Sequence, residues 1–418
     1  MREVPFADVD VDDVPAFLLP DPPESVAEPE TAVVLPPSGT GIRARRRRRR
    51  RWDTWRRGAR RIAVAVGVVA LLALLIARPW QGGGSGHAPQ QAATGRQAPP
   101  GSSAVLVQQD AQGGAASITL LIAASSGGGG HVVFVPPATM TEVPSFGLDG
   151  VGKSLALGGP QLLQTTLDNL LGVVLPQAVI VNDAQLAAFV QPAGALDVDV
   201  PTRVEQTDSG GAVNVLWEEG PNTVAPADVP RFLSTKGEGN DLGRLARHQS
   251  FWTSWLARVA HDPTIASNVP PDLARVVKNL AAGTPSYQTL PVQAVDAGSG
   301  GDEVYSIRSS DLDQLVRQLL PGVPAGARLR VQVLNGTGVI GVAQRIAQRL
   351  VPAGARVELS GNADSFAYAQ TQIVFYDRSQ QQAAARIRQA LGTGRLVLSR
   401  QPLDVVDVTV VVGKDFNG

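Results

Sequence analysis

The sequence predicts an α/β protein with a layered α/β domain, a smaller α/β domain at the C-terminus and one N-terminal transmembrane helix. Three observations carry this prediction. Ile62–Ala77 contains no charged or polar side chain. From Ser117 onward, short apolar runs of strand length alternate with stripes of helical period. The Pro- and Gly-rich segment Pro321–Gly326 divides the alternating part of the chain in two.

The apolar run Ile62–Ala77, which includes Ile76, is the core of a predicted transmembrane helix over residues 62–80. A bilayer core requires about 20 apolar helical residues, with a lower limit of about 17. Arg61 and Arg78 flank the run and can extend their guanidinium groups to the headgroups, while Trp80 suits the interface. A buried core helix is the alternative. A cleaved signal peptide is disfavoured, because about sixty residues precede the run and signal peptides total about 15–30 residues.

Charge predicts the orientation of this span. The chain has 37 Lys and Arg against 37 Asp and Glu, so its net charge is zero, yet the N-terminal flank of the span is strongly basic. Positive flanks remain in the cytoplasm. We therefore predict a single-pass protein of the cell membrane, with a cytoplasmic N-terminus and extracytoplasmic main domains. The flanking arginines are Arg43, Arg45–Arg51, Arg56, Arg57, Arg60 and Arg61.

Residues 1–61 are predicted to be a disordered cytoplasmic tail. The first 41 residues are acidic and Pro-rich, with too few apolar residues to offset the entropy of ordering. The arginine block that follows is interpreted as a topology anchor in contact with membrane lipid. We do not expect nucleic acid as a partner, because Trp52 and Trp55 suit a membrane interface better than a base-stacking platform. Residues 81–104 form a flexible linker rich in Gly, Ser, Pro and Gln.

The first folded domain is predicted over residues 105–324, with its first folded pattern at Ser117. Apolar runs predict four strands, the first two joined as a hairpin by a Gly-rich turn, and apolar periodicity predicts the helices. The predicted strands are Ser117–Ala123, His131–Val135, Ala178–Val181 and Leu196–Val200. The predicted helices are Pro160–Leu171, Asp183–Phe189, Arg244–Val259, Pro271–Ala281 and Ser310–Leu320.

The second domain is predicted over residues 328–416. Its predicted strands are Leu329–Leu334, Arg356–Leu359, Gln372–Phe375 and Val405–Val412, and its helices are Gly341–Leu350 and Gln380–Leu391. About 90 residues is an ordinary size for a domain.

Motifs for common chemistries are weak or missing. Asn335–Gly338 between strand and helix resembles a phosphate-binding turn, but it lacks the Lys-Ser/Thr pair and the third glycine of the known motifs. The four histidines have no metal-ligand spacing, and the chain has no cysteine, so a thiolate metal site and disulfides are excluded. No Gly-x-Ser-x-Gly nucleophile elbow occurs.

Short motifs follow one another between Val105 and Leu320. They are Val133–Thr139 (VFVPPAT), Glu142–Pro144, Lys153, Gly158–Leu163 (GGPQLL), the strand before Asn182, and Asp241–Gln249 (DLGRLARHQ). In order and spacing, these motifs resemble the LytR-CpsA-Psr family. Arg330–Gly338 and the residues up to Val412 resemble the LytR C-terminal domain.

This resemblance implies a layered α-β-α domain on the outer face of the membrane. It also implies transfer of a glycopolymer from a polyprenyl-pyrophosphate carrier to peptidoglycan or a related wall acceptor. Such a transfer needs cations that neutralise the pyrophosphate and carboxylates that hold Mg²⁺.

The chain departs from the family where that chemistry would reside. Pro137 and Ala138 stand where the family has a phosphate-binding arginine and an aspartate, and Ala116 stands where an aspartate opens the first strand. The phosphate-binding candidates that remain are Lys153, Lys236, Asp241, Arg244 and Arg247. Arg244 and Arg247 also have a structural interpretation, since Asp241 can pair with Arg244 within one helix.

Loss of one oxyanion-type donor costs on the order of a hundred- to a thousandfold in rate. We therefore expect a degenerate domain that binds a polyprenyl-phosphate-linked or anionic wall component without transferring it. An active phosphotransferase, which alone would require Mg²⁺, and an envelope-related transcriptional regulator are the alternatives. No helix-turn-helix pattern occurs in residues 1–61.

Overall fold

The computed structural model describes residues 9–10, 98, 103–208, 210–236, 241–295, 303–323, 327–401 and 403–418. The predicted membrane span from Ile62 to Trp80, the linker up to residue 97 and, apart from the strand β1 (Val9–Asp10), the predicted disordered tail lie outside these residues. Within the described part of the chain, no helix combines the length and the apolar character that crossing a bilayer requires.

The first domain is built on a five-stranded sheet with the strand order β12-β4-β3-β2-β7. The neighbouring pairs β2–β3 and β3–β4 are antiparallel. The edge strands β12 and β7 pair in parallel with β4 and β2, respectively. The strands of this sheet are β2 (Ser103–Gln109), β3 (Ala115–Ala123), β4 (Gly130–Val135), β7 (Val179–Val181) and β12 (Pro285–Thr289).

Helices cover both faces of this sheet, because its central strands are apolar on both sides. Leu121 and Phe134 face the layer of α2 to α5, while Leu120 and Val133 face α1 and α6. This is the layered α-β-α arrangement that the resemblance implies. The helices are α1 (Lys153–Leu171), α2 (Asp183–Val190), α3 (Val229–Ser234), α4 (Asp241–His261), α5 (Pro271–Ala281) and α6 (Ser309–Leu319).

Among the described residues of the first domain, four strand pairs lie outside the central sheet, and the sequence predicted only one of their strands, Leu196–Val200. They are β5 (Met140–Val143) with β6 (Gly147–Gly150), β8 (Leu196–Val200) with β11 (Gly220–Val224), β9 (Val204–Thr207) with β10 (Val213–Trp217), and β13 (Val292–Val295) with β14 (Val304–Ile307).

The predicted helices are present, with ends that differ by a few residues. Asn182 caps α2 through a capping box with Gln185. In α1, the non-helical backbone of Gly158 and Gly159 separates a first turn from the predicted helix that Pro160 opens. The prediction that the first folded segment starts at Ser117 was wrong, because the preceding strand β2 pairs with both β3 and β7.

The second domain has a sheet with the order β1-β18-β17-β19-β15-β16. All of its pairings are parallel except β17 with β19. Two helices pack on it around a separate core. The elements are β15 (Leu329–Asn335), α7 (Val342–Leu350), β16 (Ala355–Asn362), β17 (Gln372–Phe375), α8 (Gln381–Leu391), β18 (Arg395–Leu398) and β19 (Val408–Val412). The sequence did not predict β18.

The two domains contact each other along a polar seam between β16 and the elements α1, β5 and β6. The buried Asn169 on α1 pairs with the backbone of Val357, and Arg328 donates to the carbonyl oxygens of Asn169 and Leu170. Glu142 on β5 accepts a hydrogen bond from the hydroxyl of Ser360.

Candidate functional site

The first turns of α4 bring three of the predicted site residues to one inward face. Asp241, Arg244 and Arg247 are spaced by three residues, which places them one above another on a helix. All three are at most 2% exposed, and the neighbouring His248 is equally buried. We call these four residues, together with Glu303 and Tyr305, the Asp241 cluster.

Arg244 is held by an ion pair and by backbone oxygens. Its Nη2 lies 2.8 Å from Oδ1 of Asp241. Its Nη1 donates to the carbonyl oxygens of Ala116 and, at 3.2 Å, of Leu233. The guanidinium is therefore next to the position where the family has its strand aspartate, and there it meets a backbone carbonyl instead of a carboxylate.

The guanidinium group of Arg247 is likewise held by contacts within the protein. Its Nε donates to the carbonyl oxygen of Phe232 at 3.4 Å, and its Nη2 donates to that of Thr235. Its guanidinium lies over the Phe232 ring, 5.8 Å from the centroid. Burial, and then the positive charge of Arg244, lower the pKa of Arg247 to about 10.

His248 is a neutral core residue. Its Nε2 donates to the carbonyl oxygen of Leu233 at 2.8 Å, and its ring meets the edge of Phe134 at a centroid distance of 5.7 Å. Burial, followed by the charge of Arg244, lowers the pKa of His248 to about 3. His248 therefore carries no charge near neutral pH.

Sequence reasoning missed Glu303 and Tyr305. The backbone N–H of Asp241 donates to Oε2 of Glu303 at 2.9 Å, and the Tyr305 hydroxyl donates to Oε1 at 2.5 Å. Burial and the hydrogen bond to Glu303 raise the pKa of Tyr305. The backbone N–H of Tyr305 donates to the carbonyl oxygen of Ala138, one of the altered family positions. Neither residue belongs to a motif, so no sequence signal identified them.

The two lysines among the predicted site residues are not part of this cluster. Lys153 begins α1 and is 65% exposed, with its Nζ 3.2 Å from Asp149. Lys236 follows α3 and is exposed. No hydrogen bond or ion pair of the described residues joins either lysine to Asp241, Arg244 or Arg247.

Pro137, Ala138 and Ala116 supply no cation or carboxylate in place of the arginine and the aspartates that the family has at these positions. Pro137 has no backbone N–H, and its carbonyl oxygen accepts from the N–H of Gly152 at 2.9 Å. Its ring packs so closely that a Cβ on Gly152 would lie 2.7 Å from the Pro137 Cβ. The side chains of Ala116 and Ala138 have no polar atom.

The donor set does not suit the Mg²⁺ that the family chemistry implies. A Mg²⁺ site needs carboxylates that are open toward substrate phosphates. Here the Asp241 carboxylate is paired with Arg244, and Glu303 receives an N–H and a hydroxyl. No group of three or more His, Cys, Asp or Glu residues with metal-binding geometry occurs in the described part of the chain.

Comparison with known proteins gives two sequence matches. Residues 328–416 match the family described as LytR cell envelope-related transcriptional attenuator. The cell wall biosynthesis protein LcpA of Corynebacterium glutamicum is 23% identical over 299 residues, which are 62% of this chain. The match spans 57% of the length of that relative.

Solved structures give weaker likenesses. B. subtilis TagV has a TM-score of 0.43 at 13% identity, over 53% of this chain and 96% of that one. A LytR-Csp2A-Psr enzyme from Actinomyces oris has a TM-score of 0.43 at 18% identity, over 56% and 96% of the two chains. Likenesses at this level establish neither a shared fold nor a shared activity.

Proposed function

We propose that this chain is a LytR-CpsA-Psr family protein related to cell wall biosynthesis, with a LytR C-terminal domain, and that it binds a wall component without transferring it. The ligand class is a polyprenyl-phosphate-linked glycopolymer or another anionic wall component.

The observation that carries the proposal is the internal use of both arginines. Catalysis of phosphoryl transfer depends on cations aimed at the charge that develops in the transition state. Four backbone carbonyl groups and one carboxylate engage the guanidinium groups of Arg244 and Arg247 instead. Among the ion pairs of the described residues, Lys153 contacts only the partly exposed carboxylate of Asp149, so its ammonium group can shift to an anionic ligand.

A transferase assay tests the loss of activity. The full-length chain in detergent is incubated with a polyprenyl-pyrophosphate glycan, Mg²⁺ and a peptidoglycan acceptor, with an active family member as the positive control. We expect no turnover above background. Robust turnover that Arg244→Ala abolishes while the variant remains folded would contradict the proposal.

A binding assay with the same glycan tests the second part of the proposal, that the protein binds a wall component. Lys153→Ala should weaken binding at least several-fold, because a phosphate loses its ion-pair partner. Lys278→Ala, which removes an exposed lysine on α5, is the matched control and should leave the affinity unchanged. Equal affinities of both variants and the wild type would exclude Lys153 from the site.

An active transferase is the alternative that a specific observation favours. Glu303 adds a second carboxylate beside Asp241, so two acidic groups meet at the start of α4. In that case the assay above would show Mg²⁺-dependent turnover, and Glu303→Gln would reduce it.

The proposed location is the outer face of the cell membrane, with the N-terminus in the cytoplasm. The charge asymmetry around the apolar run supports it. The pairing of β1 with β18 argues for the opposite arrangement, because the proposed span lies between the two strands in the sequence. Protease added to intact cells should degrade the two folded domains and spare residues 1–61. The reverse pattern would overturn the proposed topology.

A regulator that binds DNA remains a further alternative, because the matching family is described as a transcriptional attenuator. Salt-resistant, sequence-selective DNA binding through the arginine block would support it.

A further inference from the structure

The seam between the two domains contains a buried carboxylate with a single side-chain partner. Glu142 on β5 is 4% exposed, and its Oε1 accepts a hydrogen bond from the hydroxyl of Ser360 on β16. The Ser360 oxygen in turn accepts from the backbone N–H of Ser145 at 3.0 Å. Two hydrogen bonds that converge on Ser360 thus join the β5–β6 hairpin of the first domain to the second domain.

Within the described part of the chain, no Lys, Arg or His forms an ion pair with this carboxylate. The charged and titratable groups on the elements that pack against β5 are Asp149 on β6, Lys153 and Asp168 on α1, Tyr305 on β14, and Arg356 and Glu358 on β16. Lys153 pairs with Asp149, and Arg356 pairs with Glu358. Glu358 adds a like charge near Glu142. An ionised carboxylate in this place is therefore buried beside another negative charge, which is costly.

We propose that Glu142 and Ser360 form a proton-sensitive latch that holds the C-terminal domain against the first domain and loosens when Glu142 loses its proton. Burial, followed by the repulsion of Glu358, raises the pKa of Glu142. The hydrogen bonds from Ser360 lower it, but they offset only part of this increase, and the resulting pKa is about 7. Separation of the domains would return the carboxylate to water, where its pKa is 4.5.

The direction of the effect follows from this difference. A carboxylate whose pKa is raised in the docked state binds a proton more tightly there. Docking is therefore strongest below pH 4.5 and weakens as the pH rises through 7. Between pH 5.5 and pH 8 the two pKa values give about a 30-fold change in the docking equilibrium.

Amide hydrogen exchange measures the latch directly. The N–H of Val357 donates to Oδ1 of Asn169 and the N–H of Ser145 donates to Ser360, so both bonds cross the seam. In the full-length chain, exchange rates corrected for the intrinsic effect of pH should show about 30-fold less protection of both amides at pH 8 than at pH 5.5. Amides of the inner strand β15 report global unfolding and should remain protected.

Glu142→Gln is the decisive variant, because its amide has the shape of the protonated acid and cannot ionise. Protection at Val357 and Ser145 should then be independent of pH. Asp168→Asn is the matched control and should retain the pH dependence, whereas Glu358→Gln removes the like charge near Glu142 and should reduce it. The Asp168 control is necessary because burial also raises the pKa of that carboxyl to about 7.

Two results would overturn the latch. The first is equal protection of the wild-type seam amides at pH 5.5 and pH 8, which decides the matter even if Glu142→Gln does not fold. The second is a pH dependence in Glu142→Gln that matches the wild type. Neither result bears on whether the first domain transfers a wall polymer.

Discussion

The side chain of Asn169 pairs with both backbone groups of Val357 across the domain seam. Its Oδ1 accepts from the N–H of Val357 and its Nδ2 donates to the carbonyl oxygen, each at 2.9 Å. Asn169 is fully buried. The amide therefore occupies the place that a neighbouring strand would take on the free edge of β16, and it satisfies backbone groups that burial would otherwise leave without partners.

Asn169→Leu should destabilise the protein by about 2–5 kcal/mol, because two buried backbone groups lose their partners. Urea unfolding monitored by circular dichroism measures this. Gln348→Leu is the control. Gln348 also crosses the seam, donating to the Thr165 hydroxyl at 3.1 Å, but its side chain is exposed, so we expect a change within about 0.5 kcal/mol. Equal losses of stability in the two variants would contradict the conclusion that the burial of Asn169 makes its hydrogen bonds important.

Arg244→Ala should cost about 3–5 kcal/mol of stability, because it leaves the Asp241 carboxylate buried without its partner. The chain contains an exposed equivalent, Arg275 with Asp272, which has the same spacing and the same 2.8 Å distance. Arg275→Ala should cost at most about 1 kcal/mol. Thermal unfolding of the two variants compares the pairs, and similar losses would show that Arg244 is not a structural residue.

Acid should destabilise the protein through His248. Its pKa of about 3 in the folded state lies below the ordinary value of 6.5, so its contribution to stability is present above pH 6.5 and is lost as the pH falls toward 3. His248→Gln keeps a donor for Leu233 and cannot take up a proton. From pH 7 to pH 4.5, the free energy of unfolding should fall by about 2–3 kcal/mol more in the wild type than in this variant. Parallel pH profiles would exclude the effect.

Gly172→Ala should be more harmful than the same change at Gly392. Both glycines end helices with positive φ, 68° and 75°, so both variants carry a backbone cost of about 1 kcal/mol. A Cβ on Gly172 would lie 2.5 Å from the Arg328 side chain, whereas nothing lies within 4 Å at Gly392. Displacement of Arg328 should add about 1–2 kcal/mol at Gly172, measured as a lower midpoint of urea unfolding.

Local patterns predicted every α-helix of the described residues except α3, which is only six residues long and therefore shows no helical period. Asn182 with Gln185 is a capping box that can be identified within four residues of sequence. The contacts that give the chain its particular character are distant in sequence. Asn169 meets a strand 188 residues away, and Gln108 donates to Pro230, 122 residues away. Periodicity contains no information about such partners.

In the candidate site, too, contacts between residues close in sequence were predictable and contacts between distant residues were not. The spacing of Asp241 and Arg244 predicted their ion pair, since residues three apart share a helix face. The use of Arg244 and Arg247 by backbone carbonyls was not predictable, because those carbonyls belong to β3 and to the end of α3. Glu303 was missed for a similar reason, since it enters the site from a segment without a motif. The strand β2 was missed because its four apolar residues follow directly on a Gly- and Ser-rich stretch.

The position of β16 at the margin of its sheet has a practical consequence for truncated versions of the protein. A fragment that began near residue 327 would lack Asn169, and the outer backbone groups of β16 would be left without the partners that the first domain supplies. Uncovered strand margins recruit other chains. Such a fragment is expected to self-associate, and its behaviour in isolation would misrepresent the parent molecule.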